Sequence, residues 1–185
     1  MILLIVLGVS VTAMADVRFA LEGGTIQEGR NLTDTKSVNR TGYDLNVNIG
    51  LMKSSPLYLT LGYLYSSKVE NLKDGEFNVF NSSHTYLGAG YTFLGRGTFT
   101  IHTLIAYSPF GSLDFRQKSG AEDWEGSGII FKTGVEAQLS RSFSLSFLMV
   151  LVQETFSSRK SGSILTNSSV TQSYMYPIAG LNYSF

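Results

Sequence analysis

Two histidines, His84 and His102, are the only imidazoles in the chain, and cysteine is absent. His84 stands between Ser83 and Thr85, with the carboxylate of Glu76 upstream in the same stretch. A hydroxyl, an imidazole and a carboxylate are the components of an activated nucleophile for acyl transfer. A second constellation is ionic. Arg18, Glu22, Asp44, His102, Lys132, Glu136 and Glu154 all fall inside runs rich in apolar and small residues. Charges withdrawn from water cost several kcal/mol unless they are paired. Arg18 is expected to pair with Glu136, and Lys132 with Glu22 or Asp44.

A third group joins aromatics to charge. Phe110, Phe115 and Trp124 stand among Asp114, Arg116, Lys118, Glu122, Asp123 and Glu125, while Phe77 and Phe80 stand near Lys68, Lys73, Asp74 and Glu76. Such aromatics form an exposed contact surface or fold down as a cap. Glu122, Asp123 and Glu125 lack the spacing of a calcium loop. Without cysteine there is no thiolate zinc site, disulfide framework or thiol nucleophile. Fourteen basic and fourteen acidic residues cancel, which gives no electrostatic footprint for nucleic acid. No metal or cofactor is expected.

The elements that must position these residues are strands. Tyr43-Asp44-Leu45-Asn46-Val47-Asn48-Ile49-Gly50-Leu51 is apolar at every odd position and polar or small at every even one. A period of two puts each set on its own face of a strand. Eight such runs are read, at about 16–26, 40–53, 57–67, 83–94, 98–108, 127–139, 142–156 and 173–185. Connections of alternating length separate them: long at 27–39, 68–82, 109–126 and 157–172, short at 54–56, 95–97 and 140–141. The short ones carry the Gly, Pro and Ser that tight turns favour. A tilted strand of roughly 9–11 residues crosses a bilayer's hydrocarbon layer. Only helices or closed barrels can span there, because lipid offers no partner to an unpaired edge. The expectation is an all-β, eight-stranded antiparallel up-and-down transmembrane β-barrel, with short periplasmic turns, long extracellular loops and both barrel termini in the periplasm.

A soluble barrel alternates too, so position along each strand must decide. Tyr43, Tyr63, Tyr65, Tyr107 and Phe131 gather toward one end of the apolar face. Tyr91, Phe93, Phe99, Phe143, Tyr183 and Phe185 gather toward the other, with aliphatics between. Two aromatic girdles mark membrane–water interfaces. Residues 1–15 are an apolar run ending in Ala13-Met14-Ala15, expected as a cleaved export signal, although a basic start is missing. Residues 16–185 then form one barrel domain. Pro177 interrupts the last strand, where it cannot donate a ladder hydrogen bond, so a local bulge or strain near the seam is expected.

With this pattern and the ending Gly180-Leu181-Asn182-Tyr183-Ser184-Phe185, the chain resembles the small eight-stranded outer-membrane proteins of Gram-negative bacteria: the OmpA transmembrane domain, OmpX and opacity-type group. The resemblance implies that Tyr183 and Phe185 are the assembly signal read by the barrel-insertion machinery. It further implies a monomer among outer-membrane lipid and lipopolysaccharide. Some barrels of this size modify lipid A. The lipid A deacylases among them present a His-x-Ser motif on the lipid face, whereas His84 is followed by Thr85 and Tyr86 and points inward by parity. A non-catalytic structural or surface role is therefore expected, through adhesion, contact with a host or phage surface molecule, or lipopolysaccharide packing. The alternatives are a lipid A-modifying enzyme and a narrow channel or transporter for ions or small hydrophobic molecules. An eight-stranded lumen is just wide enough for side chains to fill, so the luminal charges Arg18, Glu22, Asp44, His102, Lys132 and Glu136 are expected to form a structural plug.

Overall fold

Alternation closes the chain into a ring. In a computed structural model, which describes residues 17–28, 35–50, 56–73, 75–93, 98–117, 120–161 and 164–185, eight strands follow one another: β1 (Val17–Glu28), β2 (Thr35–Gly50), β3 (Leu57–Leu72), β4 (Phe77–Phe93), β5 (Phe99–Gln117), β6 (Gly120–Gln138), β7 (Phe143–Ser161) and β8 (Ile164–Ser184). Each strand pairs antiparallel with its neighbours, and β8 returns to β1, giving a closed barrel in sequence order. The expected export signal lies outside the described residues. Among those described, no helix is long and apolar enough to cross a membrane.

The face rule fixes what is outside. Leu21, Leu45, Leu61, Leu87, Ile105, Ile129, Phe147 and Leu181, one from each strand, are between 48% and 64% exposed on the outer wall. On a soluble protein so continuous an apolar band would be an aggregation surface. Here it is the face a transmembrane barrel presents to lipid. The even-numbered residues between them turn inward.

The strands run further than the alternation suggested. The stretch 109–126 is strand on both sides of residues 118–119, and 68–72 and 77–82 are strand as well. Backbone N–H and C=O groups beyond the apolar band still need partners, and continued hairpin ladders supply them. Gly75 adopts φ 87° and Gly120 φ 148° at the hairpin ends, a region side-chain-bearing residues disfavour. The β5 ladder shifts register between Ser108 and Gly111, around Pro109. This β-bulge adds one residue and reverses the parity above it. Phe110 consequently points outward and Leu113 inward.

The closing seam is short. β1 and β8 pair from Arg18↔Ser184 to Gly23↔Ala179, whereas β7 and β8 pair from Phe143↔Tyr183 to Ser161↔Ile164. Pro177 lies two residues beyond the last β1–β8 pair, where its missing N–H withholds a ladder donor. On the β7 side the register passes Met149↔Pro177 without a shift. The irregularity expected at this proline thus takes the form of a ladder that stops, not a bulge.

Candidate functional site in the barrel lumen

Inward-facing residues from all eight strands fill the lumen in tiers. The lowest, at the end holding Val17 and Ser184, is ionic. Arg18 Nη1 donates to Glu136 Oε2 at 2.7 Å, Ser144 Oγ donates to Glu136 Oε1 at 2.6 Å, and Asn182 Nδ2 donates to Glu136 Oε2 at 3.1 Å. His102 Nε2 lies 3.1 Å from the same Glu136 oxygen, and its ring nitrogens also meet Thr92 and Thr100. Four partners on one carboxylate are what a buried charge requires.

The next tier centres on Lys132. Its Nζ lies 2.8 Å from Asp44 Oδ2, 2.9 Å from Tyr86 Oη and 3.3 Å from Glu22 Oε2. An ammonium has three protons, so all are used. Tyr86 Oη donates to Asp44 in turn, and Ser146 Oγ donates to Glu22 Oε1. Lys132, Glu22 and Asp44 are all buried. The tyrosine rings fit because glycines lie beneath them. A Cβ on Gly62 would lie 2.3 Å from the Tyr86 ring, one on Gly42 would lie 2.2 Å from Tyr176, and one on Gly90 would lie 2.1 Å from Tyr58.

Above Lys132 the lumen turns apolar. Leu64, Leu104, Ala106, Ile130, Val150, Val152 and Ile178 pack with Tyr86, Tyr174 and Tyr176 into one buried cluster. This explains why β7 reads as greasy on both faces: Val150 and Val152 serve the plug while Met149 and Leu151 face out. A third polar set sits at the upper side of the plug. His84 Nε2 lies 2.6 Å from Glu154 Oε2 and His84 Nδ1 lies 3.2 Å from Ser108 Oγ. Tyr174 Oη donates to Glu154, and the Arg40 guanidinium lies 3.6 Å over the Tyr174 ring. At the top, Leu113, Trp124 and Phe156, with Phe80 against them, form a separate apolar cap.

The residues singled out in the sequence divide accordingly. Arg18, Glu136 and His102 come together, as do Lys132, Glu22 and Asp44. Ser83 does not join His84: it lies on the outer wall and its Oγ meets Ser112 Oγ at 2.8 Å. The hydroxyl and carboxylate that do meet His84 are Ser108 and Glu154. Ser108 Oγ donates to the Phe110 carbonyl at 3.0 Å, and Ser108, His84 and Glu154 are each at most 1% exposed. Of the two outcomes open to the hairpin aromatics, Trp124 takes the cap and not the surface contact, because it is 7% exposed and turned inward. Phe80 and Phe115 stack at 4.5 Å and are half-buried, while Phe77 and Phe110 are exposed on the outer wall. Arg40 is buried in the lumen and donates to Ser66. Tyr183 and Phe185 cluster with Phe19 and Phe143 across the β1–β8 seam. Tyr174 and Tyr176 are luminal residues that the sequence reading misses, yet their even numbers in β8 are the signal that places them inside.

Two cavities follow the lumen inward from the Val17 end. The outer one, about 250 Å³, is lined by Thr98, Gln138, Arg141 and Phe185 among others, and the inner one, about 100 Å³, reaches Glu22, Lys132 and Leu104. Both touch Arg18, Thr92 and Glu136. The path ends against the apolar plug.

No family model matches the chain, and no curated protein matches it. Solved structures do. Neisserial surface protein A aligns with TM-score 0.54 at 11% identity, over 93% of this chain and 97% of that one. A major outer membrane protein from Thermus thermophilus aligns with TM-score 0.49 at 14% identity, covering 92% and 99%. The outer membrane protease OmpT from Escherichia coli aligns with TM-score 0.45 at 11% identity, covering 94% and 97%. At such identity the first likeness is one of architecture. The chain has the fold of the small eight-stranded outer-membrane β-barrels.

Proposed function

We propose that this protein is a monomeric, non-catalytic integral protein of a Gram-negative outer membrane, with its short turns in the periplasm. Its hairpins would serve at the cell surface, in adhesion, contact with a host or phage molecule, or packing against lipopolysaccharide. The single observation that carries this reading is the pairing of an apolar outer band on every strand with a lumen closed by a plug of side chains. A plugged lumen leaves the outer wall and the hairpins as the surfaces able to meet a macromolecular partner outside the cell. Phe77, Phe110 and Arg116 stand exposed on the outer face of those hairpins, where an aromatic–cation surface suits glycolipid or protein contact.

The test is deletion of the hairpin ends, replacing 68–82 or 109–126 by tight turns, scored by adhesion of expressing cells. Loss of adhesion with the barrel still folded supports the surface role; unchanged adhesion for every deletion removes it. The catalytic alternative rests on Ser108, His84 and Glu154, which have the residue types of an acyl-transfer set but no access. Mass spectrometry of lipid A from expressing cells reads that alternative directly, and a new acylation state reverses the non-catalytic assignment. Planar-bilayer recording does the same for conduction.

A further inference from the structure

The charges lining the lower lumen do not balance. Arg18 and Lys132 face three carboxylates there: Glu22, Asp44 and Glu136. Glu136 has Arg18 as its own cation at 2.7 Å. Lys132 is shared, and unequally, standing 2.8 Å from Asp44 but 3.3 Å from Glu22. Its third proton goes to Tyr86. Glu22 is 4% exposed, so bulk water does not make up the difference. The remaining imidazole, His102, stands beside Glu136, with Thr92 and Thr100 at its ring nitrogens, and does not serve Glu22.

Glu22 lines the inner cavity of about 100 Å³. Asn182, also in that wall and 2% exposed, uses its amide nitrogen on Glu136 and Ser144 and leaves Oδ1 without a donor. Amide and hydroxyl groups of Asn46, Asn48, Tyr58 and Ser146 also line the cavity, with Arg18, Lys132 and the Glu136–His102 pair at its edges and Leu104 and Leu148 on its apolar side. Everything the cavity lacks is of one kind: a single positive charge, or the N–H or coordination that an acceptor wants. Its volume equals that of about three liquid waters. The outer cavity lies between it and the Val17 end, the two sharing Arg18, Thr92 and Glu136 as a common wall, and the apolar plug stops it on the other side.

We propose that this chamber is a binding site for one small monovalent cation, of ammonium or alkali-metal type, held beside Glu22 and entering from the short-turn end. The site is a dead end, so occupancy stabilises the barrel without conducting. It is independent of what the hairpins contact.

The test uses the folded barrel in detergent at about pH 8, with the chloride salts of ammonium, potassium and tetraethylammonium at equal ionic strength. The readout is the midpoint of thermal unfolding. Ammonium or potassium should raise the midpoint above that in tetraethylammonium, which the chamber is too small to admit, by about 2–4 °C. Glu22→Gln should abolish the difference between salts and unfold no earlier than the wild type, because Lys132 then has Asp44 to itself. A stronger effect of ammonium than of potassium identifies a hydrogen-bonding ligand; an equal or weaker one identifies a simple ion, and both support the site. Equal midpoints for the wild type in all three salts overturn the proposal, whatever the variant does. A difference that persists undiminished in Glu22→Gln overturns it as well.

Discussion

The two halves of the lumen solve the same problem, filling a cylinder lined by eight strands, with opposite chemistry. From Lys132 downward, charged residues and their hydroxyl and amide partners line two adjoining cavities. Directly above it, aliphatic side chains and tyrosine rings pack to near-zero exposure, with the single His84–Glu154 pair at their upper side. Direction is supplied by partners in the lower half and by shape in the upper. An ionic filling is specific but fragile, since each charge depends on a named neighbour. An apolar filling tolerates the loss of any one polar contact but not a change of volume. The cavities open toward the Val17 end, and the plug closes the lumen above them.

The sharpest way to break this contrast is to remove the residue on which the lower half turns. Lys132→Met leaves Glu22 and Asp44 facing each other without a cation. Deleting one partner of a buried ionic set costs about 3–5 kcal/mol, so urea unfolding of the variant should show a loss of that size. A loss below about 1 kcal/mol would mean that water already screens the tier. The next effect compares two glycines. A methyl at Gly42 would meet the Tyr176 ring, which is fully buried in the plug, and Gly42→Ala should cost about 1–3 kcal/mol by overpacking. A methyl at Gly90 would meet Tyr58 just as closely, but that ring borders the inner cavity and has room to turn. Gly90→Ala should therefore destabilise less than Gly42→Ala in the same assay. The reverse order would place the rigid half at the wrong end.

Much of this architecture was legible from alternation alone, because a period of two assigns faces without any knowledge of neighbours. Leu45, Leu59 and Val135 are exposed on the outer wall, the side their odd numbers give them. The pairing of Arg18 with Glu136 follows from charge and depth. The hairpin ends were less legible, since Ser, Thr and Asn at 66–71 and 78–85 serve turns and water-exposed ladders equally well. The bulge at Ser108–Gly111 was hidden: one extra residue reverses every side chain above it, and Pro109 alone does not announce this. His84 shows the limit of local reading. Its sequence neighbours Ser83 and Thr85 face away from it by the same parity that turns it inward, while Ser108 and Glu154 are brought to it by the β4–β5 register and by ring closure.

The finest test of the contrast is a single hydroxyl in each half. Tyr86 Oη accepts a hydrogen bond from Lys132 Nζ at 2.9 Å and donates to the carboxylate of Asp44. Tyr86→Phe withdraws a donor from a buried carboxylate and an acceptor from a buried ammonium, an omission worth about 1–3 kcal/mol. Tyr176 is equally buried, but its Oη has no hydrogen-bond partner among the described residues. Its ring, stacked on Tyr174 at 5.9 Å, is what the plug uses. Removing an unsatisfied hydroxyl relieves a desolvated group and loses no hydrogen bond, so Tyr176→Phe should leave the unfolding midpoint unchanged or raise it slightly. If Tyr176→Phe costs as much as Tyr86→Phe, an internal water must join Tyr176 to its polar neighbours, and the upper half is hydrogen-bonded as tightly as the lower.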